Sequence, residues 1–300
     1  MMRMLTTMLM LGCLGGTAAL GQPALDSLWP NADGMTFEYD FSYEDLQFGD
    51  AFAGPASLAL NGTIMTPGGL AQVLVGQHVS SGLKKAGSPP ALPGLLAAVW
   101  RIRTDLRPVI EARFSSLKTR SSWLPLFLHD GYFMKTPDTI EMWQDGWAHS
   151  TWTYLRGEPA SGMSFTHQLV PELADDIFLH GTVTSTDASV VTANGTYTGA
   201  VRVDYLIDMG INAFTNESGD PVGMAHGEIQ GHVYYVPDVG PVAMLQEAVP
   251  FVWIDCGEEP CPSFMTEWLD TVVETMSLSL ARTPVGNADS SWSELKAMYR

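Results

Sequence analysis

Few residues of this sequence combine the types and spacing that metal or acid–base chemistry requires. His226, Glu228 and His232 share the parity of an extended strand and would face one side of it. An extended chain would nevertheless separate residues 226 and 232 by about 20 Å, which is too far for two ligands of one ion. The sequence also lacks a G-x-S-x-G elbow, a phosphate-binding loop, a G-x-G-x-x-G fingerprint and an H-E-x-x-H motif. These features predict no catalytic residue, no metal site and no cofactor.

Two further histidines flank an acidic loop. His167 and His180 lie on either side of Glu172, Asp175 and Asp176, which are residue types of a general base or of a calcium site. No D-x-D-x-D-G calcium loop accompanies them. We therefore expect a solvated loop at this place.

The cysteines indicate an oxidising compartment. Cys256 and Cys261 are close neighbours in DCGEEPC, and two such cysteines outside the cytoplasm most simply form a disulfide. Zinc is disfavoured because a structural zinc site uses four ligands, and the sequence has no second cysteine pair. The remaining cysteine, Cys13, lies in the N-terminal segment and bears on export.

The N-terminus is typical of an exported protein. Arg3 precedes the apolar run MLTTMLMLGCLGG, which is too short to span a bilayer but suits the core of a signal peptide. Cleavage before Gln22 would remove residues 1–21 as a signal peptide and give a secreted or periplasmic protein. The alternative is lipid attachment at Cys13, which follows a Leu-Gly pair as in a bacterial lipobox and would give an outer-membrane lipoprotein. Membrane association is expected only in the lipidated case.

Composition and charge narrow the class of protein and of partner. With 300 residues, of which 46% are hydrophobic and 16% charged, the chain can bury a large core. A net charge of −18 argues against nucleic acid as the partner. Residues 81–120 reverse this balance, with eight basic residues against two acidic ones. This basic region either contacts an anionic partner, such as a lipid headgroup or a polysaccharide, or docks on the acidic remainder of the chain, and we favour docking.

The basic region also contains the helical pattern of the chain. Apolar residues at helical spacing predict a helix over 93–106, in which Arg103 interrupts the apolar face. Pro108 ends or kinks this helix and can begin a second, short one. The pair forms a helical insert at about 89–118, and we expect its apolar face to cover a sheet. The residues of that face are Leu95, Leu96, Val99, Ile102 and Leu106.

Most other apolar patterning has a period of two. In MTFEYDFSY, Phe37, Tyr39, Phe41 and Tyr43 face one way and the polar residues face the other, as in a half-buried strand. Similar runs joined by tight turns predict about fourteen strands in all. The main runs after the first are 57–65, 72–79, 123–129, 132–135, 139–143, 150–155, 178–183, 189–192, 201–207, 228–236, 239–246 and 272–280.

The predicted fold class is therefore mainly β. Sequential hairpins favour a large curved antiparallel sheet, either a half-barrel or a sandwich, with the short helical pair inserted after the third strand. One β-rich domain is expected over residues 22–282. A linker and a short C-terminal tail follow over 283–300.

Three segments resemble uncharacterised bacterial secreted proteins and lipoproteins. They are SLWPNADGMTFEYDF, VVTANGTYTGAVRVDYLID and GHVYYVPDVGPVAMLQE. They match a pattern with a W-P…G…F-x-Y entry strand, a V-x-x-x-G-T-Y hairpin and a Y-Y-x-P-x-V-G-x-V return. The resemblance implies a curved antiparallel sheet that cups a helix, similar to periplasmic lipoprotein carriers, and an apolar groove on the concave face.

Three hypotheses on function follow. The first is a non-catalytic exported envelope protein that binds an apolar ligand, a lipid or another envelope component in the concave face of the sheet. The second is a structural or adhesive β-module without a pocket, and the third is a hydrolase or metal enzyme of unrecognised type. A packed interior would favour the second hypothesis over the first. The ligand contacts predicted for the first are Phe37, Tyr39, Phe41, Leu96, Val99 and Trp100.

We predict that Cys256 and Cys261 form a disulfide in the exported protein. Its stabilising effect should be modest, because so short a loop removes little entropy from the unfolded chain. Alkylation of the non-reduced protein, followed by mass spectrometry, should label neither cysteine, and reduction should expose both. Two thiols labelled without reduction would contradict this prediction.

Overall fold

Alternating apolar and polar residues form twelve strands in the described part of the chain. The computed structural model describes residues 23–45, 51–78, 99, 103–114, 131–143, 148–215, 221–249 and 272–282. The strands are β1 (Thr36–Asp45), β2 (Ala51–Thr66), β3 (Gly69–His78), β4 (Gly131–Lys135), β5 (Thr139–Trp143), β6 (Trp152–Arg156), β7 (Ser164–Gln168), β8 (Phe178–Thr192), β9 (Gly195–Thr215), β10 (Pro221–Val236), β11 (Gly240–Val249) and β12 (Val272–Arg282). The described helices are two short 3-10 helices, Leu25–Leu28 and Thr104–Leu106, and α1 (Arg107–Phe114).

This architecture confirms the predicted fold class, a mainly β protein whose sheet curls as a half-barrel. Most predicted runs correspond to strands, and the run 189–192 is the last part of β8. The sequence did not predict β7, which has one large apolar residue, Phe165, in SFTHQ. The predicted run 123–129, Leu96, Trp100 and all three cysteines lie outside the described residues.

The twelve strands pair in the order β6-β5-β4-β3-β2-β1-β12-β11-β10-β9-β8-β7, and every neighbouring pair is antiparallel. The chain therefore runs from β1 to β6 along one half of the sheet and returns from β7 to β12 along the other. The contact between β1 and β12 joins the two halves. The two edges, β6 and β7, are consecutive in sequence, and both contact the ring of Tyr205 inside the curl.

The strand directions give the sheet two different ends. The turns β2–β3, β4–β5, β8–β9 and β10–β11 lie at one end, which we call the hairpin end. The connection that contains the helices, between β3 and β4, lies at the other end together with the β7–β8 loop. We call this the insert end.

Residues 23–35, which we call the N-terminal segment, fill the hairpin end of the sheet. Leu25, Leu28 and Trp29 are buried in the main core. The Trp29 ring lies 4.8 Å from the ring of Phe133 in the first half of the sheet and 6.1 Å from that of Tyr235 in the second. Trp29 therefore packs between the two halves.

Hydrogen bonds to its backbone carbonyl oxygens hold the N-terminal segment in this position. The Lys135 ammonium donates to the carbonyl oxygens of Asp26 and Trp29 at 2.7 and 3.0 Å. The Asp238 amide, in the β10–β11 turn, donates to the Ser27 carbonyl at 2.7 Å. These bonds reach both halves of the sheet, so the segment is a structural part of the fold.

The helical insert closes the other end. Val99, Leu106 and Ile110 belong to the same core cluster as the strands, which agrees with the expectation that the insert covers a sheet. The helix predicted over 93–106 does not continue through Arg103, whose backbone is non-helical, with φ −94° and ψ 80°. At this position the Arg103 side chain turns inward and forms ion pairs with Asp105 and Asp176. No described helix is long and apolar enough to cross a membrane.

Arg103 anchors the insert to the sheet. Its guanidinium donates to the carboxylates of Asp105 and Asp176 at 2.8 Å each and to the Met209 carbonyl at 2.9 Å. Gly210 allows this approach, because a Cβ at that position would overlap the Asp176 carboxylate. This basic residue docks on acidic groups of its own chain, as favoured from the charge pattern.

We predict that Trp29→Ala lowers the free energy of unfolding by about 3–5 kcal/mol, because it leaves a cavity between the sheet halves. Urea denaturation of the purified protein measures the change. Ile211→Ala is the control and should cost less than about 0.5 kcal/mol, since that side chain is largely exposed. Equal effects of the two substitutions would contradict the position of Trp29.

Candidate functional site

Four tyrosines on four strands meet in the interior of the curled sheet. Tyr39, Tyr154, Tyr205 and Tyr235 lie on β1, β6, β9 and β10, and all four are fully buried. Each side chain points inward from its strand and belongs to the main core cluster. The interior thus combines an aromatic lining with four hydroxyl groups.

Hydrogen bonds order three of these residues across the interior. The Tyr205 hydroxyl donates to the Tyr154 carbonyl oxygen, and it lies 2.9 Å from the Tyr235 hydroxyl. A tyrosine hydroxyl has one proton, so the bond between the two hydroxyls must be donated by Tyr235. The resulting chain runs from β10 through β9 to β6 and connects the two halves of the sheet. Separately, the Tyr39 hydroxyl donates to the Pro241 carbonyl at 2.9 Å.

Burial keeps these tyrosines protonated. Desolvation raises the pKa of Tyr39, Tyr154, Tyr205 and Tyr235 above the ordinary value of 10.0. For Tyr39 and Tyr154 the neighbouring Tyr235 raises the pKa further. The hydroxyls are therefore neutral hydrogen-bond donors at physiological pH, and none is suited to act as a phenolate base or nucleophile.

The Trp29 indole nitrogen and the Tyr154 hydroxyl are buried donors of this interior that have no hydrogen-bonding partner among the described residues. Their rings lie 4.9 Å apart. A buried polar group without a partner is costly, so the interior has capacity for an added hydrogen-bond acceptor.

The residues predicted to contact a ligand lie largely in this core. Phe37, Tyr39, Phe41 and Val99 are buried in the main cluster. Phe37 packs beside Tyr39, with ring centres 6.4 Å apart. Their role as ligand contacts stays a prediction, as does that of Leu96 and Trp100.

The histidines and carboxylates considered for catalysis are engaged in separate places. His149 Nδ1 lies 3.1 Å from a Glu172 carboxylate oxygen, which also accepts from the Ala148 amide. His180 Nδ1 lies 3.1 Å from the Thr166 hydroxyl on β7. Because Asp176 binds Arg103 instead, the loop residues do not converge on one reacting position.

The second candidate group, on β10, is also dispersed. A register shift separates His226 from Glu228. His232 packs edge-on against Tyr234 and lies 3.5 Å from an Arg202 guanidinium nitrogen. Burial, followed by this nearby charge, lowers the pKa of His232 and so favours its neutral form. In the described part of the chain, no three His, Cys, Asp or Glu side chains form a group that could hold a metal ion.

Sequence reasoning did not identify the tyrosine cluster. Tyr205 and Tyr235 lie at alternating positions of long predicted strands, so their inward orientation was readable. Tyr154 lies in WTYLR, where all residues from Trp152 to Leu155 are buried and alternation gives no direction. Only the curl of the sheet brings these strands together.

The fold and this interior define a mainly β protein with a curled antiparallel sheet and an aromatic core closed at both ends. No family model and no curated protein matches the chain. Among solved structures, it is similar to a Bacteroides fragilis protein inferred to be exported, with a YmcC-like fold, at 10% identity and a TM-score of 0.32. It is also similar to a Parabacteroides distasonis protein inferred to be a lipoprotein, at 10% identity and a TM-score of 0.30. Each match covers 85% of this chain and 98% of the other.

We predict that His167 makes stability fall with acidification. Its Nε2 donates to the Ser150 carbonyl at 2.9 Å, and burial lowers its pKa from 6.5 to about 4. Between these values the unfolded chain binds more protons, so the free energy of unfolding should fall by about 3 kcal/mol as the pH drops from 6.5 to 4.

Urea denaturation at several pH values tests this prediction. His167→Gln retains a donor for the Ser150 carbonyl and should flatten the profile over this interval. His180→Gln is the matched control at an exposed position, and it should leave the slope in place. An unchanged slope in His167→Gln would show that other groups cause the acid sensitivity.

Proposed function

We propose that this chain is a non-catalytic exported protein of the cell envelope, which acts as a β-sheet interaction module. In this proposal the interior is scaffold, and recognition takes place on the outside of the sheet and at its hairpins. The observation that carries it is the position of Trp29, which is fully buried between the two halves of the sheet and fills the concave face with a residue of the chain itself.

The start of the folded core supports export. Leu25, the first buried residue among those that the structure describes, is the fourth residue after the predicted cleavage position before Gln22. Removal of residues 1–21 would therefore leave the described core intact. Lipid attachment at Cys13 would equally spare it, and would leave a tether of nine residues before Pro23.

The distribution of titratable groups supports a non-catalytic role. Glu172 is paired with His149 and Asp176 with Arg103, while the interior tyrosines are held neutral by burial. General acid–base catalysis needs such groups to converge on one position with pKa values near the working pH. The described groups have been drawn into separate structural contacts instead.

A second candidate function is the binding of an apolar ligand with one polar acceptor in the concave face. The unpartnered indole nitrogen of Trp29 and hydroxyl of Tyr154 favour it, since an oxygen of the ligand could accept from both. Phe37 and Tyr39 lie in the same core cluster. Such a ligand would have to displace the N-terminal segment, or enter beside it.

Mass spectrometry of the protein purified from a bacterial host with its own leader tests both candidates. Under denaturing conditions, the expected mass is that of a chain beginning at Gln22, whereas a diacylglycerol adduct on Cys13 would support the lipoprotein alternative. A chain retained in the cytoplasm with its leader intact would overturn export.

Under native conditions, we expect the mass of the polypeptide alone. A lipid that stays bound to the protein during native mass spectrometry would favour the carrier over the interaction module. The amount of that lipid should then differ between the native protein and Trp29→Ala. A titration with a fluorescent fatty acid provides the matched measurement. The native protein should show no saturable binding of the fatty acid, and saturable binding would favour the carrier.

A further inference from the structure

The β2–β3 hairpin exposes large apolar side chains beside its turn, where Gly68 packs against the Trp143 ring of β5. Met65 and Leu70 face each other across the two strands and are 72% and 63% exposed. Ile64, the residue before Met65, points to the opposite face of the hairpin and is less exposed. Contiguous exposed apolar surface can mark an interaction site, so the Met65 and Leu70 pair makes this hairpin tip a candidate contact surface.

The tip carries no charge. Residues 61–70 read NGTIMTPGGL and contain no acidic or basic side chain, in a chain whose net charge is −18. The Asp33 carboxylate accepts a hydrogen bond from the Gly62 amide at 2.6 Å, at the base of the tip. The part of the tip beyond Gly62 can enter an apolar environment without the cost of desolvating an ion.

The N-terminal segment lies beside the same tip. The Gly34 amide donates to the Leu60 carbonyl at 2.7 Å, and the Gln72 side chain donates to the Asn31 carbonyl at 2.5 Å. The chain therefore enters the fold at the hairpin end. Cys13 precedes Pro23 by ten residues, which can span at most about 35 Å. In the lipoprotein alternative, an acyl anchor on Cys13 would thus hold the hairpin end close to a membrane.

The other exposed large apolar side chains of the described residues are divided between the two ends of the sheet. Val191, at 77% exposure, lies near the tip of the β8–β9 hairpin and so at the same end. Val109 on α1 and Ile211 near the end of β9 lie at the insert end, where they are isolated from each other in sequence and element. Among the described residues, the exposed apolar pair that faces across a hairpin, Met65 and Leu70, lies at the hairpin end.

We propose that the tip of the β2–β3 hairpin, through Met65 and Leu70, inserts into the interface of a lipid bilayer. The proposal rests on the export part of the proposed function. Insertion of apolar side chains without basic neighbours requires no anionic lipid, and the negative charge of the whole protein opposes anionic surfaces. Binding should therefore be stronger to zwitterionic than to anionic vesicles at low salt, and it should resist high salt.

The experiment is vesicle co-sedimentation of the exported chain, made with Cys13→Ser so that no acyl chain contributes. Vesicles of phosphatidylcholine alone are compared with vesicles that also contain phosphatidylglycerol, at low and high salt. The double substitution Met65→Ser/Leu70→Ser should reduce partitioning into phosphatidylcholine vesicles about tenfold or more. Ile211→Ser is the matched control at the insert end, and it should leave partitioning unchanged.

A gain-of-binding variant excludes an effect of misfolding. Leu70→Trp should strengthen partitioning, because tryptophan favours the membrane interface. All variants should melt within a few degrees of the parent, since the substituted positions are exposed.

Several outcomes would overturn the proposal. They are no binding to phosphatidylcholine vesicles, binding that requires anionic lipid and is lost at high salt, and an equal loss in Ile211→Ser. A concentration-dependent dimer that the double substitution abolishes would assign the tip to a second copy of the chain instead. A failure of export would appear in the location and mass of the protein, and it would leave the vesicle result unchanged.

Discussion

A curled sheet is stable only when its concave face is filled, and in this protein Trp29 and three tyrosines satisfy that requirement. Trp29 contacts both halves of the sheet. The hydrogen bonds from Tyr235 to Tyr205, and from Tyr205 to the Tyr154 carbonyl, join the same two halves. In this low-dielectric interior each bond is costly to break, because the freed group cannot turn to water. The path of the N-terminal segment and the approach of the two sheet edges both depend on these contacts.

The pattern of the sequence predicts strands best where one face lies in the core. In β1, Phe37, Tyr39 and Phe41 alternate with polar residues, and all three are buried as expected. The pattern fails at β7, an edge strand with little apolar surface to reveal it. The pattern is also uninformative at β6, where the side chains on both faces of the strand are buried. Burial, rather than charged side chains, protects this edge strand from pairing with a further strand.

The contacts that define the candidate site could not be read from the sequence, because they join distant residues. Tyr205 bonds a residue 51 positions earlier and another 30 positions later. Arg103 meets Asp176, 73 positions away, so a residue that seemed to interrupt a helical face is in fact the anchor of the insert. Periodicity reports which face of an element is apolar, whereas these pairings depend on how the sheet curls. Local patterns therefore predicted the elements and not the interior.

In the proposed interaction module, recognition takes place at the surface, and the two ends of the sheet differ in the chemistry of their described residues. At the insert end, Arg103 is neutralised by two carboxylates of its own chain, so its charge is not available to a partner. At the hairpin end, the exposed side chains of Met65 and Leu70 are apolar and no charge lies between residues 61 and 70. Because the N-terminal segment enters at the hairpin end, any N-terminal anchor and the apolar tip would act on the same side.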